Sequence, residues 1–400
     1  MLIDLLFQRL IKQGGLKVSG PGAAVRHFGP EGQTAPVHLH FATKRAAQRL
    51  FLNPKLSLGE DYMSGELELR QGSMADFLEL VTANMGAVGA IPFQGPADKL
   101  RQALRWFAQR NPLGLAQAHV KHHYDLSGEL YDLFLDEDRN YSCAYFERPD
   151  MSLEEAQQAK KHLVARKLNI EPGMSVLEIG CGWGGLACTL ARDYGANVTA
   201  ITLSEKQYAY SKERARKEGL EDKVNFVFED YRDTKGTFDR IVSVGMFEQV
   251  GTPHFKTFFD TVYDRLADDG MMLLHSIGRM DGPGTTPSFI RKYIFPGGYV
   301  PALSEILPHI EQTGLWVTDL EILRLHYAET LKNWRARFMA NWDKAAELYD
   351  EQFCRMWEFY LASSEMTFRH WGQMVFQIQL SKSVDAAPLT RDYMWNTQAR

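Results

Sequence analysis

The sequence predicts an α/β protein: a mostly parallel, doubly wound sheet, with a smaller α+β domain at the N-terminus. Three observations carry this reading. From Ser152 onward, apolar runs of strand length alternate with helical stretches, and such alternation implies a parallel sheet with helices on both faces. Within that region Val176-Leu-Glu-Ile-Gly-Cys-Gly-Trp-Gly-Gly185 reads as a buried strand running into a glycine-rich turn that opens a helix. Between about Val18 and Val81, short alternating runs such as Val37-His-Leu-His-Phe41 and Glu66-Leu-Glu-Leu-Arg70 are punctuated by glycine, as in a small α+β domain. A chain of 400 residues with 45% hydrophobic content can build one large core and a second, smaller one.

The segment Met1 to Lys12 is apolar but interrupted by Asp4, Arg9 and Lys12, which fits an amphipathic helix and not a signal peptide. Gly86 to Pro96 reads as a linker from its Gly and Pro content. Asp98 to Asn111 follows as a basic helix, where Lys99, Arg101, Arg105 and Arg110 accompany Leu100, Leu104, Trp106 and Phe107. Two readings stay open for it: a helix lying in a lipid headgroup layer, or a solvated inter-domain helix packing one apolar face. The expected organisation is an N-terminal domain over 1–110, a helical linker and active-site cap over 111–150, and the large domain over 151–400. In the large domain the pattern gives helix Ser152–Leu168, strand Ser175–Ile179, helix Gly185–Tyr194, strand Asn197–Ile201, helix Glu205–Glu218, strand Val224–Phe228, strand Arg240–Val244, helix Pro253–Leu266 and strand Met271–His275.

Composition narrows the function classes. A net charge of −5 offers no global basic field, so a nucleic-acid partner is not expected. The four cysteines, Cys143, Cys181, Cys188 and Cys354, form neither a Cys-x-x-Cys pair nor a dense framework, which argues against structural zinc and secreted disulfides and for a reducing cytoplasm. His122 and His123 have no acidic or cysteine partner at helical spacing and read as surface residues, so no metal site is expected. No apolar run approaches bilayer-spanning length, and any membrane contact is expected to be peripheral.

The glycine turn locates a ligand. Gly180, Gly182 and Gly184 leave no side chain between backbone N–H groups and a bound molecule, most simply a nucleoside. Glu178, just before the turn, favours a positive group and would repel a pyrophosphate, so the sulfonium and ammonium of S-adenosylmethionine suit the place better than NAD. Ligands of such sheets sit beyond the carboxyl ends of the strands. Those ends offer Gly180–Gly184, Thr202, Leu203 and Ser204, Asp230 and Tyr231, Gly245–Glu248, and His275–Ile277. The second strand ends in Thr202 and Ser204 where an acidic residue commonly holds a ribose. Thr202 and Gln207 can supply hydrogen bonds there, whereas Ser204 and Glu205 serve equally as caps of the next helix.

Four motifs in register make the resemblance specific: Tyr141-Ser-Cys-Ala-Tyr-Phe146, Val176 to Gly185, Phe238-Asp-Arg-Ile-Val-Ser-Val-Gly-Met-Phe-Glu-Gln-Val-Gly251, and Leu274-His-Ser-Ile-Gly278. Together they resemble the cyclopropane-fatty-acyl-phospholipid synthases, a family that includes the mycolic acid cyclopropane synthases. The likeness covers Leu115 to Leu380 for the catalytic part, and residues 1 to about 110 resemble the extra domain of the bacterial phospholipid enzymes. It implies a Rossmann-like class I methyltransferase using S-adenosylmethionine, with cofactor contacts that include Tyr141 and Ser142. It also implies a bound bicarbonate ion as base, held by the backbone at Cys143 and Ile277 and by the side chains of Glu248, His275 and Tyr327. In this chemistry a methyl group adds to a cis alkene and the carbocation then loses a proton to close a ring. Aromatic faces of Tyr141, Tyr145, Phe146 and Tyr299 would stabilise the cation.

Plainer readings accompany these roles. Cys143 is a small buried hydrophobe or, less in keeping with methyl transfer, a nucleophile. His275 is otherwise a hydrogen-bonded core histidine, Glu248 a helix N-terminal charge, and Tyr327 a packing residue. The aromatic stretch Phe289-Ile-Arg-Lys-Tyr-Ile-Phe-Pro-Gly-Gly-Tyr-Val300 follows Arg279-Met-Asp-Gly-Pro-Gly284; it suits greasy chains under anionic headgroups, or is a structural lid. The implied partner is an unsaturated phospholipid in the membrane, met peripherally at its inner face from the cytoplasm. The N-terminal domain is expected to dock on the bilayer or to form part of a homodimer. Other outcomes of the same methylation are a methylene or a methyl-branched lipid. A lipid-binding protein without turnover is the reading from another class.

Overall fold

A computed structural model describes residues 2–85 and 126–395. The expected linker from Gly86 to Pro96, the basic helix from Asp98 to Asn111, the boundary at residue 110, His122 and His123 lie outside the described residues. The chain divides into two compact units, one comprising Met1–Ala103, Thr285–Pro296 and Leu331–Gln373, the other Leu104–Gly284, Gly297–Thr330 and Met374–Arg400.

The first unit opens with an amphipathic helix, Leu2–Leu10, which buries Ile3, Leu6 and Phe7. Strands β1 (Leu16–Gly20), β2 (Ala23–Phe28), β3 (Val37–Phe41) and β4 (Leu67–Gln71) form a sheet in the order β2-β1-β3-β4. β1 and β3 run parallel, and the other pairs are antiparallel. The alternation read in β3 is realised in its burial, with Val37, Leu39 and Phe41 inside and His38 and His40 half-buried. This unit also takes in the helices Ser288–Tyr293 and Glu351–His370, segments that the sequence reading grouped with the large domain. Phe289 meets Phe359 edge-on at 4.7 Å. Gly59, in helix Pro54–Met63, makes room for that pair, since a Cβ there would stand 2.4 Å from the Phe289 ring.

The second unit holds the seven-stranded sheet: β5 (Ser175–Ile179), β6 (Asn197–Thr202), β7 (Val224–Phe228), β8 (Phe238–Val244), β9 (Leu266–Arg279), β10 (Trp316–Ile322) and β11 (Gln373–Ser381), in the order β10-β11-β9-β8-β5-β6-β7. The pairs from β9 through β8, β5 and β6 to β7 are parallel, and β10–β11 is antiparallel. Four expected elements keep their bounds: Ser175–Ile179, Gly185–Tyr194, Glu205–Glu218 and Val224–Phe228. The two helices among them are delimited by strong local signals. Gly184 and Gly195 adopt left-handed backbone at the ends of the first, and Ser204 and Gly219 cap the second. The expected Met271–His275 strand is in fact longer, Leu266–Arg279, and the helix before it is Phe255–Arg265 because Thr252–His254 forms a separate 3-10 turn. β10 and β11 were not anticipated; β11 carries Gln377 and Gln379, polar yet buried, which breaks the apolar pattern of an interior strand.

Successive side chains of β5 face opposite sides. Leu177 and Ile179 join Ile241, Leu274, Phe247 and Phe258 in one core layer, and Val176 joins Val242, Leu273 and Leu190 in the other. Chain order reverses at β5, which has β6 on one side and β8 on the other, and this switch point opens a crevice beyond the strand ends. Among the described residues no helix is long and apolar enough to cross a membrane.

Candidate functional site

β5 leaves the sheet at Gly180, where φ is +87° and where an added Cβ would stand 2.7 Å from Met246 Cβ. The N–H groups of Gly180 and Cys181 both donate to Ile201 O, at 3.0 and 2.9 Å, which pins the turn against β6. Around it lies a cleft lined by Glu178, Gly180, Gly182, Thr202, Leu203, Gln207, Asp230 and Tyr231, and on another wall by Tyr141 and Ser142. Gly184 is the one expected cofactor residue outside this lining. It starts helix Gly185–Tyr194 at φ +81°, so close to its neighbours that a Cβ would meet Phe226 Cζ at 2.8 Å.

The lining residues are held by one another. Thr202 Oγ1 donates to Gln207 Oε1 at 3.0 Å, and Ser204 takes the capping role, its Oγ accepting from Gln207 N at 3.4 Å. Arg232 donates to both carboxylate oxygens of Asp230, at 2.7 Å each. Tyr141 sits edge-on to Tyr131 and Phe134. Glu178 is buried and its Oε2 has no hydrogen-bond partner. Burial pushes its pKa up to about 8, against the opposing pull of Lys160 and the Ala187 N–H. Lys160 itself lines the cleft, as do Arg139 and Trp183, with the Arg139 guanidinium 4.9 Å from the Trp183 ring centre. The sequence reading covered Trp183 within Gly180–Gly184 but missed Lys160 and Arg139, because a lysine inside Lys160-Lys161 and an arginine in a polar loop read as solvent-facing.

A second polar group adjoins the cleft. Just past β8, the 3-10 turn Phe247–Gln249 carries Glu248, whose neighbours Met246 and Gln249 line the cleft. Glu248 Oε1 accepts from the Ile277 N–H at 2.6 Å, while Oε2 has no partner. Burial raises the pKa of this carboxyl, only partly offset by the Ile277 N–H. His275 lies within β9, its carbonyl accepting from Gly245 N at 2.9 Å. Gln377 Nε2 stands 3.0 Å from His275 Nδ1; donation there leaves the ring proton on Nε2. Burial, reinforced by Lys160 and Lys167, brings the His275 pKa down to about 3, so the ring is neutral. Gln377 is a site residue that spacing alone does not reveal, because its role follows from β11 lying beside β9.

Cys143 is fully buried, and its thiol donates to Ala144 O at 3.2 Å. Burial drives the thiol pKa far above its usual value, which favours the thiol over the thiolate a nucleophile would need. The Ala144 N–H donates to Thr330 Oγ1 at 3.0 Å, and Thr330 lies one turn after Tyr327 at the start of helix His326–Ala340. Tyr145 stacks on His326 at 4.8 Å, and the Phe146 N–H donates to His326 Nδ1 at 3.1 Å. The turn carrying Glu248 is also tied to Tyr299, whose N–H donates to Glu248 O at 2.9 Å and whose hydroxyl donates to Glu305 Oε2 at 2.7 Å. Cys143 and the segment around Tyr327 thus lie together, as do Glu248, Ile277 and His275. Tyr145, Phe146 and Tyr299 have their polar or ring contacts taken up within the fold.

Comparison with known proteins fits this geometry. The family described as mycolic acid cyclopropane synthetase matches residues 114–378. A cyclopropane-fatty-acyl-phospholipid synthase of Escherichia coli (strain K12) is 37% identical over 352 residues, spanning 88% of this chain and 90% of the relative. A probable fatty acid methyltransferase of Pseudomonas putida is 38% identical over 319 residues, 78% of each. The solved mycolic acid cyclopropane synthase CmaA1, complexed with SAH and CTAB, superposes with a TM-score of 0.64 at 34% identity, covering 68% of this chain and 99% of that one. The chain belongs to the mycolic acid cyclopropane synthetase family and is a class I, S-adenosylmethionine-dependent methyltransferase.

Proposed function

We propose that the protein transfers the methyl group of S-adenosylmethionine to a cis double bond of an unsaturated phospholipid acyl chain and then closes a cyclopropane ring, with bicarbonate as the bound base. The carrying observation is that the buried His275 and Cys143, and Glu248 with its buried, unpartnered Oε2, adjoin residues that line the glycine-turn cleft. The E. coli relative, a cyclopropane-fatty-acyl-phospholipid synthase, and CmaA1, a mycolic acid cyclopropane synthase, support the same reaction class.

Both small molecules fit what the residues offer. Gly180 and Gly182 admit close backbone contact, Glu178 Oε2 lacks a partner and suits a cationic group, and Gln207 and Asp230 supply fixed polar atoms. S-adenosylmethionine supplies there an electrophilic methyl group. Beside it, a neutral Glu248 carboxyl and the His275 Nε2–H are donors suited to a small anion, and the Cys143 N–H and Tyr327 hydroxyl are assigned to the same anion. In the structure the Ile277 N–H donates to Glu248, so its contribution runs through orienting that carboxyl. Bicarbonate held there would provide a base that the chain's own neutral groups do not.

The residues answer a particular demand. An isolated alkene has no proton to give up in advance, so methyl addition leaves a carbocation, which any exposed nucleophile would capture. The thiol of Cys143 stays protonated, His275 points its lone pair at Gln377, and burial favours the acid form of Glu248, so the site around the cation is poor in nucleophiles. The proton then lost comes from the transferred methyl, and its C–H electrons form the third ring bond. Because the substrate is a membrane lipid, we place the enzyme at the inner face of the cell membrane, bound peripherally, with the N-terminal residues as the docking or dimerising part. The name of the P. putida relative favours a second reading, in which the same cation ends as a methyl-branched or methylene lipid.

The experiment is to supply methyl-deuterated S-adenosylmethionine and vesicles of a cis-monounsaturated phospholipid, then examine the chains by mass spectrometry and proton NMR. Ring closure leaves two deuterons per chain, no olefinic signal and upfield ring protons. Retention of all three deuterons, or loss of the olefinic signal without ring protons together with exocyclic methylene signals when unlabelled cofactor is used, would establish the second reading. Glu248→Gln is expected to bind S-adenosylhomocysteine normally while losing at least about 100-fold in turnover; near-normal turnover removes Glu248 from the mechanism. Glu178 gives a test without turnover. Its pKa rises on folding from 4.5 to about 8, so its contribution to stability is complete below pH 4.5 and is lost as pH rises through about 8. The melting temperature of the unliganded protein should therefore fall less across that window in Glu178→Gln than in the wild type; equal slopes would contradict the assignment.

A further inference from the structure

Helix Leu153–Lys167 buries three lysines, and two of them have carboxylate partners. Lys161 pairs with Asp138, and Lys167 with Glu321 at 2.5 Å. Lys160 does not. Its Nζ donates to two neutral oxygens, Asn140 Oδ1 and Ser142 Oγ, each at 3.1 Å, and no ion pair involves it among the described residues. Asp136 acts on it electrostatically without a hydrogen bond, so the ammonium is incompletely compensated out of water, and it carries three N–H bonds, of which two are used. The acceptors are themselves fixed: Asp136 accepts from the Asn140 N–H at 2.7 Å and from its side-chain amide at 2.6 Å, and Gln157 Nε2 donates to Ser142 O at 2.9 Å.

Lys160 and Glu178 line the same cleft, and Glu178 Oε2 is likewise without a hydrogen-bond partner. They are not paired with each other. One buried cation and one buried carboxyl, each with unused hydrogen-bonding capacity, match the two ends of a zwitterion. We propose that they form the receptor for the amino-acid end of the cofactor, Lys160 Nζ taking its carboxylate and Glu178 its ammonium. This rests on the reading that the cleft holds S-adenosylmethionine, and it makes Lys160 the residue that distinguishes the intact cofactor from nucleosides lacking the carboxylate. Burial brings the Lys160 pKa down to about 8, which a ligand carboxylate alongside would reverse.

The test is calorimetric and needs no turnover. Three ligands are compared: S-adenosylhomocysteine, its decarboxylated analogue S-adenosyl-3-thiopropylamine, and 5′-methylthioadenosine, which has neither charged group. The wild type should prefer S-adenosylhomocysteine to the decarboxylated analogue by about 10- to 100-fold, as expected for a charged hydrogen bond. In Lys160→Met that preference should shrink to about threefold or less, with methylthioadenosine binding little changed. Replacing an unpaired buried cation by a side chain of similar length should not unfold the helix, and Lys160→Gln is the second variant, with the same expectation. Equal affinity of the wild type for the first two ligands, or a preference undiminished in either variant, overturns the proposal. A wild type that binds neither S-adenosylhomocysteine nor methylthioadenosine overturns the cofactor reading itself, and this one with it.

Discussion

Glu178, Glu248, His275 and Lys160 have all been taken out of water at the carboxyl ends of a parallel sheet or on the helix packed over it, and desolvation is the largest influence on each. It works in opposite senses on acids and bases, pushing the carboxyls toward their protonated form and keeping the imidazole neutral. Everything else about the site follows from how the fold keeps these groups dry while leaving each some hydrogen-bonding capacity. The glycine turn brings backbone close to the cleft, the 3-10 turn after β8 aims Glu248 at the Ile277 N–H, and β11 delivers Gln377 to His275.

That constraint suits carbocation chemistry better than it suits most methyl transfers. A methyltransferase acting on oxygen or nitrogen gains from a charged base close to its acceptor. An alkene acceptor gains nothing from one before the methyl moves, and an anionic side chain beside the cation would capture it. Keeping Cys143 as thiol, and the one lone pair of the His275 imidazole turned to Gln377, removes two nucleophiles without removing their hydrogen bonds. The base must then be small and held by neutral donors, which is the role we assign to bicarbonate.

Much of the catalytic sheet was legible because its signals are local. Gly184, Gly195, Ser204 and Gly219 mark helix ends within a residue, and β5 and β7 are short apolar runs between such marks. What could not be read depends on contacts between distant segments. β11 hides behind Gln377 and Gln379, whose side chains find their partners in distant segments: His275 for the first, and Thr318, Tyr393 and the Lys167 carbonyl for the second. The grouping of 285–296 and 331–373 with the N-terminal sheet rests on packing such as Phe289 against Phe359, partners remote in sequence from Gly59. Lys160 was illegible for a simpler reason: in a row of charged residues nothing local distinguishes a buried lysine from a solvated one.

The central claim is that Glu248 is a neutral acid in the working range of pH, and infrared spectroscopy reads this directly. The unliganded protein at neutral pH should show a protonated-carboxyl C=O band that is missing from the spectrum of Glu248→Gln. If the two spectra differ instead only in the carboxylate region, Glu248 is ionised, and a site arranged around uncharged donors is contradicted.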